Sequence, residues 1–409
     1  MRSTPAAADP SAAGRRAALP ADTGRVADEI VGGAGGRPRR GSAVAVGLVA
    51  VALFGYAVSH RHGVGRPPDE PPAIDVAALD GPRLGSGPRL SGRVGLGPPG
   101  LRLLVDRAEP RVVDVHTLAV TPVPGLQLPP GQPARVVQLG RGRLAAVAPL
   151  YGRHGGTYLV RPGRPPKLLR GVGMVVPGRD GTLVVAVSRL GASTVTGFDA
   201  AHRVRWQWSR RGTVDPLRDT PAGLVVASYR TATVAYPQLQ VVDRRTGTVR
   251  RRLGEARRAL AVDDRSVAWL PARCGLDCPL VRTELAVGTT RGYRLPERRV
   301  PAAAAFAPDG RHLALSFPGV PVSTRPWAKP GFVAVLDVRT GALTRVAGLS
   351  TPASQHVDVT WSADGRWLVL GVSWPEQELI ALWRPNSRLV IVPLALPGGP
   401  ATARLTALY

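Results

Sequence analysis

Cys274 and Cys278, four positions apart in "ARCGLDCPL", are the only thiols in the chain. In a loop between two apolar runs, and outside a reducing compartment, this pair reads as a structural disulfide. A redox-active pair is expected as C-x-x-C, and a zinc site needs two further ligands at clear spacing. Those two readings stay open behind the disulfide. The seven histidines (His60, His62, His116, His154, His202, His312 and His356) are scattered. No H-E-x-x-H, G-x-S-x-G or S-x-x-K accompanies them. Asp180, Asp309 and Asp364 each precede an apolar run, a placement that suits turn residues better than catalytic carboxylates. No catalytic residue, metal ligand or cofactor is therefore assigned.

Binding chemistry is better represented. Trp327 in "STRPWAKPGF" and Trp374 in "VSWPEQE" lie in stretches longer than their neighbours, where binding loops are expected. His356 and Asp358 stand just before a predicted strand close by, and join them as candidate binding-loop residues. "TVRRRLGEARRAL" concentrates Arg250, Arg251, Arg252, Arg257 and Arg258 in what reads as a loop. A solvated edge explains such a cluster; an anionic lipid or wall polymer is the functional alternative.

The elements that must carry these residues follow from the totals. The chain has 409 residues, 54 basic against 28 acidic, and only Lys167 and Lys329 are lysines. A formal charge of +26 ordinarily points to a polyanion. Here the arginine bias, with abundant Ala, Gly, Pro and Val, is what a GC-rich genome also yields, so nucleic acid is not called for. With 48 Gly and 41 Pro the chain is unsuited to a helical protein.

Residues 1–40 lack apolar periodicity and read as a disordered cytoplasmic tail. Residues 41–59, "GSAVAVGLVAVALFGYAVS", carry no charge, follow Arg37, Arg39 and Arg40, and match a bilayer in length. They predict one transmembrane helix, a signal anchor that holds the rest of the chain outside the cell; a cleaved signal peptide ending in "AVS" is the alternative. Residues 60–100 read as a Pro/Gly-rich linker.

The remainder, 101–409, is repetitive. "FAPDGRHLALSF" at 306–317 returns as "WSADGRWLVLGV" at 361–372, and weaker copies start at Arg141, Asp180, Ala222 and Asp264. Each is a tight polar turn followed by an apolar run. A second phrase of strand, turn and strand follows, as in "LQVVDRRTGTVRRRL", "FVAVLDVRTGALTRVA" and "TVTGFDAAHRVRWQW". Four short strands in each such repeat, without a helical stretch between them, predict an all-β fold, a β-propeller of four-stranded blades. "LRLLVDRAEPRVVDVHT" lacks a first strand and "ATARLTALY" lacks a hairpin, so joining the two ends in one blade makes seven blades. Six is the alternative.

On these residues the chain resembles the WD40-like, TolB-like and PQQ-repeat propellers. "PDGRHLALSF" and "ADGRWLVLGV" look like TolB or WD40-like strands, and "GFDAAHRVRW" is similar to the PQQ-type repeat, although Arg203 stands where that repeat usually has Gly. The resemblance, with the predicted anchor, implies an actinobacterial-type extracytoplasmic protein on the cell membrane. Its expected role is a non-enzymatic platform for an unknown protein or cell-envelope ligand. The alternative is a propeller enzyme of the quinone- or metal-dependent dehydrogenase, lactonase or cyclase type, with its site at the channel mouth.

Overall fold

The computed structural model describes residues 89–408, apart from 107–109, 125, 127–134, 141–142, 149–154, 162–163, 190, 231–235, 275–276, 297–298, 323–324, 352–356, 374–376 and 398–403. Strands fill this region. The helical element with defined bounds among the described residues is a three-residue 3-10 turn at Arg179–Gly181.

The strands pair antiparallel into seven four-stranded units, strung along the chain. The second runs from Arg135 to Arg170 and the third from Met174 to Arg211. The fourth starts with Thr213–Thr220, Gly223–Tyr229 and Gln238–Val242. Its outermost strand, Val249–Val262, runs on without interruption to become the innermost strand of the fifth unit. That shared strand merges the two units into one seven-stranded sheet. The sixth unit spans Ala303 to Arg345 and carries an inserted hairpin, Val320–Val322 with Arg325–Lys329. The seventh runs from Val357 to Pro397.

The first unit is made from both ends of this region. Its innermost strand is Arg404–Leu408, which pairs antiparallel with Arg102–Asp106, setting Leu103 opposite Ala407 and Val105 opposite Leu405. Neighbouring units meet through their inner strands all the way round, including the seventh against Arg404–Leu408, so the series closes on itself.

Burial follows position within each unit. Second strands are covered on both faces by the adjoining units, so they are mostly apolar. "LVVA" at 183–186 and again at 224–227, and "LVLGV" at 368–372, are buried throughout. Fourth strands face solvent, and "VRWQWSRR" at 204–211 is mostly exposed or half-buried. Charged side chains on such an edge discourage pairing with another molecule. Many of the chain's arginines stand on these outer strands, including Arg205, Arg210 and Arg211 in the third unit.

The repeated turns have a common chemistry. Oδ1 of Asp309 accepts from the amides of Arg311 and His312 at 2.7 and 3.1 Å, and Oδ1 of Asp364 accepts from the amide of Arg366 at 3.0 Å. Gly310 and Gly365 follow them at φ +66° and +68°, where a side chain would be strained. In the copy expected to begin at Asp264, it is Asp263 that caps the turn, accepting from Arg265 and Ser266. Asp264 instead pairs with Arg218 Nε at 2.9 Å.

The expected membrane helix is corrected. Among the described residues no helix is long and apolar enough to cross a membrane, because their apolar residues lie in strands that pack sheet on sheet. Residues 41–59, and with them the expected tail at 1–40, lie outside the described residues. The single-pass anchor, the cell-membrane location and the membrane-anchored type inferred from it are therefore set aside. The end of the expected linker is ordered chain. Arg89–Leu90 pairs with Leu349–Ser350, and Gly92–Val94 runs parallel to the outer strand of the seventh unit. A short edge strand tolerates the Gly and Pro content that a central strand would not.

Leu103 is fully buried where the chain ends meet, whereas Leu168 is 55% exposed on an outer strand. Leu103→Ala is expected to cost about 2–5 kcal/mol and Leu168→Ala less than about 0.5 kcal/mol, read as the shift in urea midpoint.

Candidate ligand-binding site

On one face of the ring, the turns joining first to second and third to fourth strands stand side by side. Between the third and fourth units they enclose a groove of about 1100 Å³. One wall is the turn at 199–203 with Arg179 and Arg205; the other is the turn at 243–248. Six arginines and three aspartates line it.

Most of the carboxylate capacity is already used. Asp199 accepts from the backbone N–H and Nε of Arg203, at 2.9 and 3.2 Å. Asp243 accepts from the amides of Arg245 and Thr246 at 2.8 and 3.0 Å, and also from the guanidinium of Arg250. These amides, Thr246 first, hold the Asp243 carboxyl down at about 2. It stays charged, and the turn stays closed, at any ordinary pH.

Asp219 is different. It is 4% exposed, at the end of the innermost strand of the fourth unit, and forms part of the groove lining. Its Oδ2 accepts from the amide of Arg179 at 3.1 Å and lies 3.5 Å from Arg244. Its Oδ1 has no hydrogen-bond partner. The side chains of Arg179, Arg205 and Arg245 are exposed and make no hydrogen bond or ion pair among the described residues. The groove therefore presents unpaired guanidinium groups around a buried acceptor.

The walls are tied across the unit boundary. Trp208 Nε1 donates to the carbonyl of Arg244 at 3.1 Å, and Arg210 donates to the carbonyl of Gly247 at 2.6 Å. Trp206 lines the groove half-buried, its indole laid against Gly197 so closely that an added Cβ there would meet the ring at 2.1 Å. Gly197 is thus what allows the ring to lie flat on the sheet. Behind the 199–203 turn, His202 Nδ1 is 2.7 Å from a guanidinium nitrogen of Arg161 in the second unit. Burial, then the charges of Arg161 and Arg143, push the His202 pKa below its ordinary value.

Two smaller cavities lie on the same face. One, of about 540 Å³, sits at the ends of the innermost strands of the fourth to seventh units and holds the Arg218–Asp264 pair. The other, of about 510 Å³, lies between the fifth and sixth units. Among the described residues no group of three or more His, Cys, Asp or Glu is placed to hold a metal ion.

The candidates read from sequence are dispersed. Cys274 and Cys278 are joined by a disulfide, Cα atoms 4.8 Å apart, in the connection between the second and third strands of the fifth unit. Trp374 and His356 lie outside the described residues. Trp327 falls in the inserted hairpin of the sixth unit, and Asp358 is half-buried on the first strand of the seventh. The arginine cluster belongs to the shared strand Val249–Val262 and not to a loop, since that strand passes directly from one unit into the next. Arg250 turns to Asp243 at the groove, and Arg251 donates to the carbonyl of Leu285 at 2.7 Å. Arg252, Arg257 and Arg258 are exposed along the strand. Missed altogether were Arg179, Arg205, Asp219 and Arg245. They come from separate turns and strands, and the one local signal was "GFDAAHRVRW", whose Trp206 reads in sequence as filler between repeats.

No protein-family model matches the chain, and no curated protein does. Solved structures resemble it distantly. TolB from Acinetobacter baumannii is 14% identical, with 75% of this chain and 66% of that one covered and a TM-score of 0.44. A provisionally named 6-phosphogluconolactonase from Bacteroides uniformis is 12% identical, with 75% and 99% covered and a TM-score of 0.47. The fold is β-propeller-like. Oligopeptidase B from Leishmania major is 11% identical, with 79% of this chain and 49% of that one covered and a TM-score of 0.44. This propeller-like chain thus spans about two thirds of TolB and half of oligopeptidase B. Likenesses so distant carry no argument, and the propeller-like architecture stands on the strand pairing and the closure between first and last units.

His202 gives a pH dependence. Its depressed pKa means that the unfolded chain takes up this proton more readily than the folded one. The stabilisation is complete above the ordinary value of 6.5 and is lost as pH falls below it. Melting temperature between pH 8 and pH 5 is expected to fall in the wild type and to fall less steeply in His202→Gln. Reducing Cys274–Cys278 opens a short loop and is expected to cost about 2 kcal/mol, measured by denaturation with and without dithiothreitol.

Proposed function

We propose that this protein is a non-enzymatic recognition platform that takes an acidic partner or ligand in the groove between its third and fourth units. The observation that carries this reading is the set of unpaired guanidinium groups of Arg179, Arg205 and Arg245 around that groove. Elsewhere on the turn face, Arg265 and Arg339 are exposed at the smaller cavity between the fifth and sixth units, while other arginines are engaged. Arg311 binds Asp337 through Nε and a terminal nitrogen at 2.9 and 2.7 Å, and Arg291 donates to the carbonyl of Arg339. Guanidinium groups held on tied turns lose little freedom on meeting a carboxylate or phosphate, and their planar fork binds either one bidentately.

A second reading, an enzyme with its site among the innermost strands, draws on Asp215 and Tyr229. Burial raises the Asp215 pKa; burial and then the Asp215 charge raise that of Tyr229. Paired perturbed groups of this kind are frequent in catalytic sites. It requires a turnover that Asp215→Asn abolishes.

The platform reading is tested on an immobilised acidic polypeptide, polyglutamate. Arg179→Ala/Arg205→Ala/Arg245→Ala is expected to weaken binding about tenfold, near 1.4 kcal/mol. Arg252→Ala/Arg257→Ala/Arg258→Ala removes the same charge from the exposed shared strand and is expected to change binding far less. Equal losses in the two variants would reduce the effect to net charge and sink the reading.

A further inference from the structure

The groove holds more than charge. Resting on the platform reading, we infer that its occupant is an acidic oligosaccharide, a short chain of sugar rings bearing carboxylate or sulfate groups. Two observations converge on that chemistry.

First, the unpaired cations stand on both walls of the groove. Arg179 and Arg205 lie on the side of the third unit and Arg245 on the turn of the fourth. A ligand with repeated negative charge can meet both walls at once. Second, Trp206 presents an indole in the lining, laid flat over Gly197. Flat aromatic surface suits the C–H face of a sugar ring, and the polar edge of the indole remains available to donate. Repeated acid groups and sugar-ring faces occur together in acidic carbohydrate. An acidic polypeptide offers the first of these with little of the second.

The volume agrees. About 1100 Å³ exceeds the usual range for a single small ligand and accommodates several sugar rings. The cross-unit ties from Trp208 and Arg210 hold both walls before any ligand arrives.

The test is calorimetric titration of the full chain with three probes: hexagalacturonate, a heparin hexasaccharide and neutral maltohexaose. At least one acidic probe is expected to bind with Kd below about 1 mM, and maltohexaose is not. Arg205→Ala/Arg245→Ala and Trp206→Ala are each expected to weaken the acidic probe about tenfold. Trp206→Leu keeps Gly197 covered and guards against a folding defect; it is expected to weaken binding as Trp206→Ala does. In the wild type, the Trp206 indole N–H resonance is expected to shift on titration. Failure of both acidic probes, or full binding by the Trp206 variants, overturns the inference. If polyglutamate is still lost on substitution of the groove arginines, the platform reading survives that failure. If polyglutamate is indifferent to them as well, both fall.

Discussion

Every unit of this protein is a twisted sheet with two apolar faces, and a sheet of four short strands cannot cover either face by itself. The covering must come from neighbours, so the series of units has to close. Closure is done by Arg404–Leu408, which supplies the innermost strand to a unit otherwise built from the start of the described region. Leu103, Val105 and Val113 are fully buried there, in one cluster with Ile380 and Leu382 of the seventh unit. Hydrogen bonds along the joined strands and apolar contact between first and last units thus act at one place, and the burial of every other unit depends on it.

A second device sets the units in register. Side chains on the fourth strand of one unit donate to carbonyls in the next unit's turn between third and fourth strands. Trp208 and Arg210 reach Arg244 and Gly247, Arg251 reaches Leu285, and Tyr293 Oη reaches Val338 at 2.6 Å. The donors differ in type, but each satisfies a turn carbonyl that would otherwise point at an apolar neighbour. The turns these side chains hold have little room to move. Rigid turns carrying arginine are a suitable base for recognising anions, since the ordering has been done in folding.

The capped turns explain why so many aspartates do no chemistry. Asp114, Asp243, Asp263, Asp309, Asp337 and Asp364 all accept from backbone amides one turn ahead. The Asp337 carboxyl is held well below the usual range by Arg311 and then by the amides of its turn. Such groups are occupied by their own turns. Asp219 departs from the pattern because it stands at the end of a strand, under a neighbouring unit's turn, where one oxygen is met and the other is not.

The repeated Asp-Gly turns, the apolar runs behind them and the incomplete repeats at either end were legible in the residues, because each is local: a turn needs its capping carboxylate and its glycine within a few positions, and a strand covered on both faces must be apolar along its length. The arginine run at 250–258 shows the limit of that reasoning. Its composition suggests a loop, yet it follows a bulged strand shared by two units, and only the sheet pairing shows that Arg250 and Arg251 are engaged while Arg252, Arg257 and Arg258 are exposed. The groove was hidden for a related reason. Arg179, Arg205, Asp219 and Arg245 lie on four separate segments that become neighbours when two units pack side by side, and no spacing along the chain encodes that meeting. Local chemistry is written in sequence; convergence between units is decided by tertiary packing.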